Sequence, residues 1–284
     1  MSVIPVFSLA GAPGVTSVAC LLASTWTCPG TVAVVECDPS GGDLAPRFGL
    51  STAVGWPSLI SAVRRTGRST PIDPHLQLLP GGLPVLVGAV DGPPMAADTP
   101  EAEIVRNGIV GEDGSGLAVI DLGRLPQGAG AGGGWLEAGT CAVLVARDDP
   151  AAAVRVRARA AELLDRTGGR LGLLLVGGST FRCRELAERT GLVPLGEIPF
   201  DPASAAVVTG ASASARRLER SHLLASVRRV GDALADRSRA SDPLAAAAEI
   251  DIDTPGDPVR RSTFRALPTS FRAFGRHPLA DGSV

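Results

Sequence analysis

The chain has 284 residues, of which 45% are hydrophobic, and a formal net charge of −2, so it is long enough for one large α/β domain or two small ones. This composition excludes a fibrous or mainly disordered protein, and no apolar run reaches the ~20 residues that a membrane span needs. The N-terminus has no positively charged region ahead of its first apolar stretch, so we expect a cytoplasmic protein.

The cysteine and lysine content of the chain limits which motifs it can contain. The five cysteines are odd in number and form no C-x-x-C pair of the kind that binds zinc, so we expect reduced structural thiols. All 27 basic residues are arginines, because the sequence contains no lysine. A motif that normally needs a lysine can therefore be present only in an altered form.

In the first part of the chain, short apolar runs alternate with helical patterns. Residues 3–9 are predicted to form a buried parallel strand that ends at a glycine-rich turn, and a helix is predicted from Thr16 onward. Residues 32–36 form a second strand, which ends in a loop that contains Asp38. An amphipathic helix is predicted over residues 56–65. Two short apolar runs around a Pro-Gly-Gly turn and a proline-rich loop at Pro93 and Pro94 follow.

The same alternation continues to residue 237. Residues 117–121 form a strand that ends in Asp121 and leads into a glycine-rich segment. A helix is predicted to begin at Pro150, after two acidic residues, and to end at Gly168. The remaining predicted elements are strands over 141–146, 171–176 and 195–199 and helices over 181–189 and 216–237.

Unbroken apolar strands that alternate with helices predict an α/β fold with a doubly wound, mostly parallel sheet and helices on both faces. Ligands of such sheets bind beyond the carboxyl ends of the strands. This edge should bring together the turn at 11–16, Asp38 and Asp121. We assign residues 1–239 to this domain and residues 240–284, which are rich in Ala, Asp and Pro, to a flexible C-terminal tail.

The turn after the first strand resembles a phosphate-binding loop that has lost its lysine. Such loops read G-x-x-x-x-G-K-[ST], in which backbone N–H groups hold the phosphate oxygens, the lysine reaches the outer phosphates and the hydroxyl holds magnesium. Here the segment reads SLAGAPGVTS, with Val15 in the place of the lysine. The candidate nucleotide-binding residues are Gly11, Ala12, Pro13, Gly14, Val15, Thr16 and Ser17.

Three segments, SLAGAPGVTS, VVECDPSGGDL and AVIDLG, together resemble the MinD/ParA family of deviant P-loop ATPases, and LGEIPFDPA is a fourth, weaker match. The resemblance covers roughly residues 3–237. It places Ala10 at the signature lysine of the family and Val15 at the ordinary loop lysine, so both cations are missing. The phosphate loop is therefore degenerate.

The resemblance also implies a metal site and a cofactor. It places Thr16, Asp38 and Asp121 at the positions that hold magnesium, with Asp38 as the catalytic residue that orients the attacking water. The implied cofactor is ATP or ADP with Mg²⁺. Gly177 and Gly178 stand where many family members carry an adenine-reading Asn, which weakens the case for ATP specifically.

The function that this resemblance implies is spatial organisation by a protein with slow or no ATP hydrolysis. Losing one such lysine typically removes ~3 kcal/mol or more of transition-state stabilisation. Within the family the chain most resembles the CpaE/TadZ-like branch, which positions pilus or secretion machinery and often carries atypical phosphate loops. One alternative is an active ATPase of chromosome partitioning or septum-site placement, in which Arg47, Arg124 or Arg147 replaces the lysine. The other is a nucleotide-free scaffold.

The expected partners follow from the same resemblance. We expect a homodimer and a protein partner from a pilus or secretion, division or partition system. Nucleic-acid binding is not expected, because acidic residues are interspersed among the arginines of the helices. The tail spaces Phe264, Leu267, Phe271 and Phe274 between arginines, a pattern compatible with contact at the inner face of a membrane.

Overall fold

The computed structural model describes residues 2–11, 13–89, 99–111, 116–128, 132, 134–178, 180–208, 210 and 215–240. Ala12, the proline-rich loop at residues 93 and 94, part of the glycine-rich segment after Asp121 and the tail from residue 241 lie outside these ranges. The predictions for those residues are therefore untested.

Within these ranges eight strands form one sheet with the order β3-β4-β2-β5-β1-β6-β7-β8. All neighbouring pairs are parallel except β3 with β4, which is antiparallel. The strands are β1 Ser2–Ser8, β2 Thr31–Glu36, β3 Gln77–Leu78, β4 Pro84–Leu86, β5 Gly116–Arg124, β6 Ala142–Arg147, β7 Leu171–Val176 and β8 Val193–Ile198.

Helices cover both faces of this sheet, which confirms the predicted doubly wound α/β architecture. The described helices are α1 Val15–Thr25, α2 Leu44–Phe48, α3 Trp56–Thr66, α4 Pro100–Gly111, α5 Trp135–Ala138, α6 Pro150–Arg166, α7 Thr180–Thr190, α8 Pro202–Val208, α9 Ala215–Glu219 and α10 His222–Ala240.

The core consists of two apolar layers, one on each face of the sheet. Alternate residues of the central strands face opposite layers: Ile4 and Val6 of β1 join one layer, whereas Val3 and Phe7 join the other. The first layer is covered by α1, α8 and α10, and the second by α3 to α7. The strands therefore read as unbroken apolar runs because both of their faces are buried.

The predicted C-terminal helix over 216–237 is wrong as a single helix. The structure divides it into α9 and α10, which are separated at Ser221. The Ser221 hydroxyl accepts a hydrogen bond from the Leu224 N–H at 3.1 Å and donates one to the Leu218 carbonyl at 2.8 Å. Ser221 thus ends one helix and caps the next, a role in which serine is favoured.

Two further findings concern membrane-spanning helices and the cysteines. Among the described residues, no helix is both long and apolar enough to cross a membrane. The five cysteines are all free, and all but Cys28 are buried. Burial raises the pKa of Cys183 to about 11 and that of Cys141 to about 12, so these thiols stay protonated at neutral pH.

Candidate functional site

The phosphate loop, defined here as residues 11–17, leaves the carboxyl end of β1 and runs directly into α1. Gly14 is the N-cap of α1, with φ 94° and ψ 38°, in the left-handed region that favours glycine. No side chain caps this helix and its first turn contains no acidic residue. The N–H groups of this turn can therefore face an anion, as at other helix N-termini that hold phosphate.

Val15, at the expected position of the loop lysine, is buried in the apolar core. Its side chain is only 6% exposed and belongs to the layer beneath α1. Thr16 is partly exposed, whereas Pro13 and Ser17 are buried. The loop therefore brings backbone donors and one hydroxyl to the sheet edge, but the described residues of the loop bring no cation.

The acidic rim, defined as Glu36, Asp38 and Asp121, lies beside this loop. Glu36 and Asp121 are register partners at the ends of β2 and β5, and the Cys37 N–H donates to the Asp121 carbonyl at 2.7 Å. Asp38 follows two residues after β2 ends and packs against Gly123 of β5, where a Cβ would overlap the Asp38 carboxylate. The structure thus brings the two predicted metal-binding acids, Asp38 and Asp121, to one place.

Asp121 is the most deeply buried member of the rim, with an exposed fraction of 0%. Its Oδ1 accepts the Gly123 N–H at 3.0 Å, whereas Oδ2 has no hydrogen-bond partner among the described residues. Burial raises the pKa of Asp121 to about 7; the Thr16 hydroxyl and the Gly123 N–H oppose this rise, and the charges of Glu36 and Asp38 add to it. The unpaired Oδ2 could accept from a metal-bound water or approach a cation.

Asp38 is half-buried and accepts the Ser40 N–H at 2.8 Å. Burial raises the pKa of Asp38, and the hydrogen bonds from the Ser40 backbone and side chain partly offset this rise. Its carboxylate is held by this turn close to Asp121. A residue so placed can bind a cation or orient a water molecule beside the phosphate loop.

Glu36 holds the rim together, a role that the sequence analysis did not assign to it. Its Oε1 accepts the N–H groups of Asp43 at 2.7 Å and Leu44 at 3.0 Å, and its Oε2 accepts that of Gly88 at 2.8 Å. Burial nevertheless raises the pKa of Glu36, against the effect of these three bonds. Glu36 therefore joins the loop after β2 to the exit of β4, and its oxygens are already engaged.

A magnesium ion fits the chemistry of Thr16, Asp38 and Asp121. No group of three or more His, Cys, Asp or Glu side chains suited to hold a metal occurs within the described part of the chain. Mg²⁺ rarely needs such a cage, because it keeps several waters and binds through one or two carboxylates plus phosphate oxygens. The unpaired Asp121 Oδ2 and the neighbouring Thr16 hydroxyl supply such a partial site.

The three arginines that could replace the lysine lie on three different elements. Arg124 ends β5 in register with Ser8, the last residue of β1. Arg147 ends β6, and its guanidinium carbon lies 4.9 Å from the centre of the Phe200 ring. Arg47 lies on α2 and forms an ion pair with Asp43 at 2.6 Å. Arg124 is thus the one in register with the end of β1.

Known proteins share the fold of this chain but not a recognisable sequence. No family model and no curated protein matches it. A ParA family ATPase from Chlorobium tepidum TLS is 17% identical, with a TM-score of 0.58 over 81% of this chain and 98% of that one. MinD in a MinC:MinD cell division complex from Aquifex aeolicus is 13% identical, with a TM-score of 0.59 over 83% and 96%.

A third similar structure contains a bound nucleotide. The septum site-determining protein MinD from Pyrococcus horikoshii OT3, complexed with Mg-ADP, is 15% identical, with a TM-score of 0.58 over 85% of this chain and 98% of that one. The similarity spans nearly the whole length of each neighbour. The chain therefore has the P-loop fold of the MinD and ParA ATPases.

Proposed function

We propose that this protein is a MinD/ParA-like spatial-organisation protein that binds Mg-nucleotide through its phosphate loop and hydrolyses it slowly or not at all. The observation that carries the proposal is the pairing of an uncapped helix N-terminus with an unpaired, buried carboxylate oxygen. The helix N-terminus supplies N–H donors for a phosphate, and the carboxylate oxygen supplies a group for the magnesium ion that accompanies it.

Phosphate binding would rest on the backbone of the loop. The N–H groups at the start of α1 and the positive end of the helix dipole favour an anion, and no acidic side chain of the first turn competes for them. Pro13 contributes no N–H group, so the cradle has one donor fewer than the motif allows. We expect weaker binding than in a loop that keeps its lysine.

Slow hydrolysis follows from the missing positive charge. The lysine of such a loop stabilises charge that develops on the outer phosphates, and removing a single contact of this kind costs ~3 kcal/mol or more in the transition state. Val15 cannot supply that charge, and its side chain is buried in the core. Asp38 could still orient a water molecule, because its carboxylate lies beside Asp121.

The proposed biological role is the positioning of a larger assembly through dimerisation. The fold shared with MinD and ParA supports this role, and one of the similar structures is MinD in complex with MinC. We place the protein with the pilus or secretion branch rather than with septum placement or partitioning, because its loop is degenerate. Partner genes beside its own, such as a secretion ATPase, are the observation that separates these systems.

An active ATPase is the second candidate, and the position of Arg124 is the observation that favours it. Arg124 ends the strand next to β1 and is exposed, with no ion-pair partner among the described residues. An arginine at this edge could reach a bound phosphate. In that case Arg124→Ala would abolish turnover, whereas Arg68→Ala, at an exposed site after α3, would not.

Calorimetry and a phosphate-release assay together test the proposal. We expect Mg²⁺-dependent binding of ATP or ADP, at micromolar to millimolar ligand, with little turnover. Asp38→Ala should remove the Mg²⁺ dependence and leave the metal-free affinity unchanged. No binding of ATP, ADP or GTP at millimolar concentration would favour the nucleotide-free scaffold, and turnover abolished by Asp38→Ala would favour the active enzyme.

A further inference from the structure

A second site candidate lies on the other face of the sheet, between α6 and α7. The α6–α7 cleft has a volume of about 270 Å³. Both helices pack on the core layer opposite to the one that holds α1. The buried Leu175 of β7 forms its floor together with Ala153 and Leu186. The cleft therefore lies on the face of the sheet opposite to α1, and its lining includes Arg147 at the carboxyl end of β6.

The walls of the cleft combine four arginines with three acidic side chains. Two of these arginines are already neutralised: Arg182 pairs with Asp148 at 2.9 Å, and Arg189 pairs with Glu185 at 2.7 Å. The third acid, Asp149, caps α6 by accepting the Ala152 N–H at 2.7 Å. The acidic side chains of the cleft are thus all engaged within the protein.

The two remaining arginines, Arg147 and Arg157, are exposed and have no carboxylate partner among the described residues. Arg147 lies over the Phe200 ring, and Arg157 lies on α6, two turns after Pro150. A cleft with two uncompensated cations and an apolar floor attracts carboxylates that are carried on an apolar body.

Exposed apolar side chains extend the same surface. The large hydrophobic residues that are exposed in the described part of the chain are Leu78, Val154 and Phe200. Phe200, 58% exposed, stacks with Arg147, and Val154, 64% exposed, lies on α6 three residues before Arg157. Residues three or four apart on a helix share a face, so Val154 borders the cleft. Two of the three exposed hydrophobic residues therefore lie beside this one cleft.

Other ligand classes fit these features less well. Nucleic acid or a polyphosphate requires several unpaired cations, and the cleft offers two beside three carboxylates. A small molecule is normally enclosed by its pocket. This cleft is open, because its Arg182 and Arg189 side chains are 63% and 64% exposed. An open cleft of this kind suits a segment of a protein that lies across it.

We propose that the α6–α7 cleft is a docking site for a short acidic peptide segment of a partner protein. Its carboxylates pair with Arg147 and Arg157, and its apolar side chains contact Leu186, Val154 and Phe200. The cleft is then the surface through which this chain engages its protein partner, on the face of the sheet covered by α6 and α7.

A random 12-residue peptide display library, selected on the full chain without nucleotide, tests this proposal. We expect the selected peptides to combine Asp or Glu with Leu, Ile or Phe. A fluorescein-labelled copy of the strongest peptide should bind at least tenfold more weakly to the variant that carries both Arg147→Glu and Arg157→Glu. Arg155→Glu, on the solvent side of the same helix, changes the charge without altering the cleft and should leave binding within twofold.

Two further measurements complete the test. Val154→Ser, which removes the apolar side chain without adding a charge, should weaken binding of the labelled peptide by about threefold, whereas a purely electrostatic surface would tolerate it. The proposal is overturned if selection yields no acidic peptide, if the double variant binds as tightly as the wild type, or if a 20-base DNA oligonucleotide displaces the peptide. Circular dichroism of each variant establishes that it is folded, which is expected because the altered side chains are exposed.

Discussion

The phosphate loop and the acidic rim meet at one edge of the sheet, but they are held by different forces. The loop is anchored by apolar burial, with Val15 in the core and no side chain capping α1. The rim is anchored by backbone N–H groups that bind Glu36, Asp38 and Asp121. The comparison shows a loop whose described residues carry no cationic side chain beside a rim of three carboxyl groups that backbone N–H groups hold in place.

Removing the anchor of the rim is expected to have the largest effect. Glu36→Ala leaves the N–H groups of Asp43, Leu44 and Gly88 without their acceptor. Each buried donor left unpaired costs about 1–3 kcal/mol, and removing the buried charge of Glu36 offsets part of the total, so we expect the free energy of unfolding to fall by about 3–5 kcal/mol. Urea denaturation followed by circular dichroism measures this loss.

Glu36→Gln is the matched control for that variant. It keeps the shape of the side chain and one acceptor oxygen, and it removes a buried charge whose pKa is raised by burial. We expect a loss of about 1–2 kcal/mol. If Glu36→Ala unfolds at the same urea concentration as the wild type, the rim is not held by Glu36.

The charge on Asp121 should make the stability of the metal-free protein depend on pH. Its pKa rises on folding from 3.8 to about 7, so between these values the folded state binds more protons than the unfolded state. Stability from this group is therefore complete at low pH and is lost as the pH rises towards 7. The rise corresponds to a loss of up to about 4 kcal/mol.

Asp121→Asn removes this titration. We expect the variant to lose less stability than the wild type between pH 4.5 and pH 8, as measured by urea denaturation in EDTA. Added Mg²⁺ should raise the stability of the wild type at pH 8 if it binds the ionised rim, and should leave the Asn variant unchanged. Parallel pH profiles for the two proteins would contradict the assignment of a buried, titrating Asp121.

Introducing a cation at position 15 should have a smaller effect, and we expect it in the affinity for nucleotide. The Val15 side chain is buried, so the four-carbon stem of a lysine at this position must carry its ammonium group out of the core to the loop. We then expect Mg-ATP to bind Val15→Lys about tenfold more tightly, which is about 1.4 kcal/mol. Val15→Met is the control, because it lengthens the buried side chain without a charge. Calorimetry compares the two variants, and equal affinities would mean that the loop does not hold the outer phosphates.

The strand pattern and the position of the site could be predicted from the sequence because they rest on local signals. The apolar runs of β1, β2 and β5 and the glycine turn after β1 sufficed to bring Asp38 and Asp121 together. The anchoring role of Glu36 could not be predicted, because one of its partners, the Gly88 N–H, becomes its neighbour only when β4 pairs with β2. A charged residue at the end of an otherwise apolar strand was the sequence feature that could have indicated this role.

Neither the break between α9 and α10 nor the α6–α7 cleft could be predicted from the sequence, because both depend on hydrogen bonds and ion pairs that form only in the folded chain. Ser221 is one serine within a helical pattern, and only the geometry of its two hydrogen bonds identifies it as a cap. The pairing of Arg189 with Glu185 is visible in the sequence, because the two residues are four apart on α7. The pairing of Arg182 with Asp148 is not visible, because the fold brings α7 to the end of β6, and the sequence therefore does not show which arginines of the cleft stay without a carboxylate.

The smallest effect is expected for Arg47→Ala. This variant tests whether Arg47 supplies a positive charge to the phosphate loop. Arg47 pairs with Asp43 on the surface, with side chains 45% and 65% exposed, and such exposed pairs contribute about 0–1 kcal/mol. Arg47→Ala should therefore change the urea midpoint slightly and leave the Mg-ATP affinity unchanged, as should the control Arg64→Ala on α3. A tenfold loss of affinity in Arg47→Ala alone would mean that α2 supplies the cation that Val15 cannot, and the contrast between an uncharged loop and a charged rim would no longer hold.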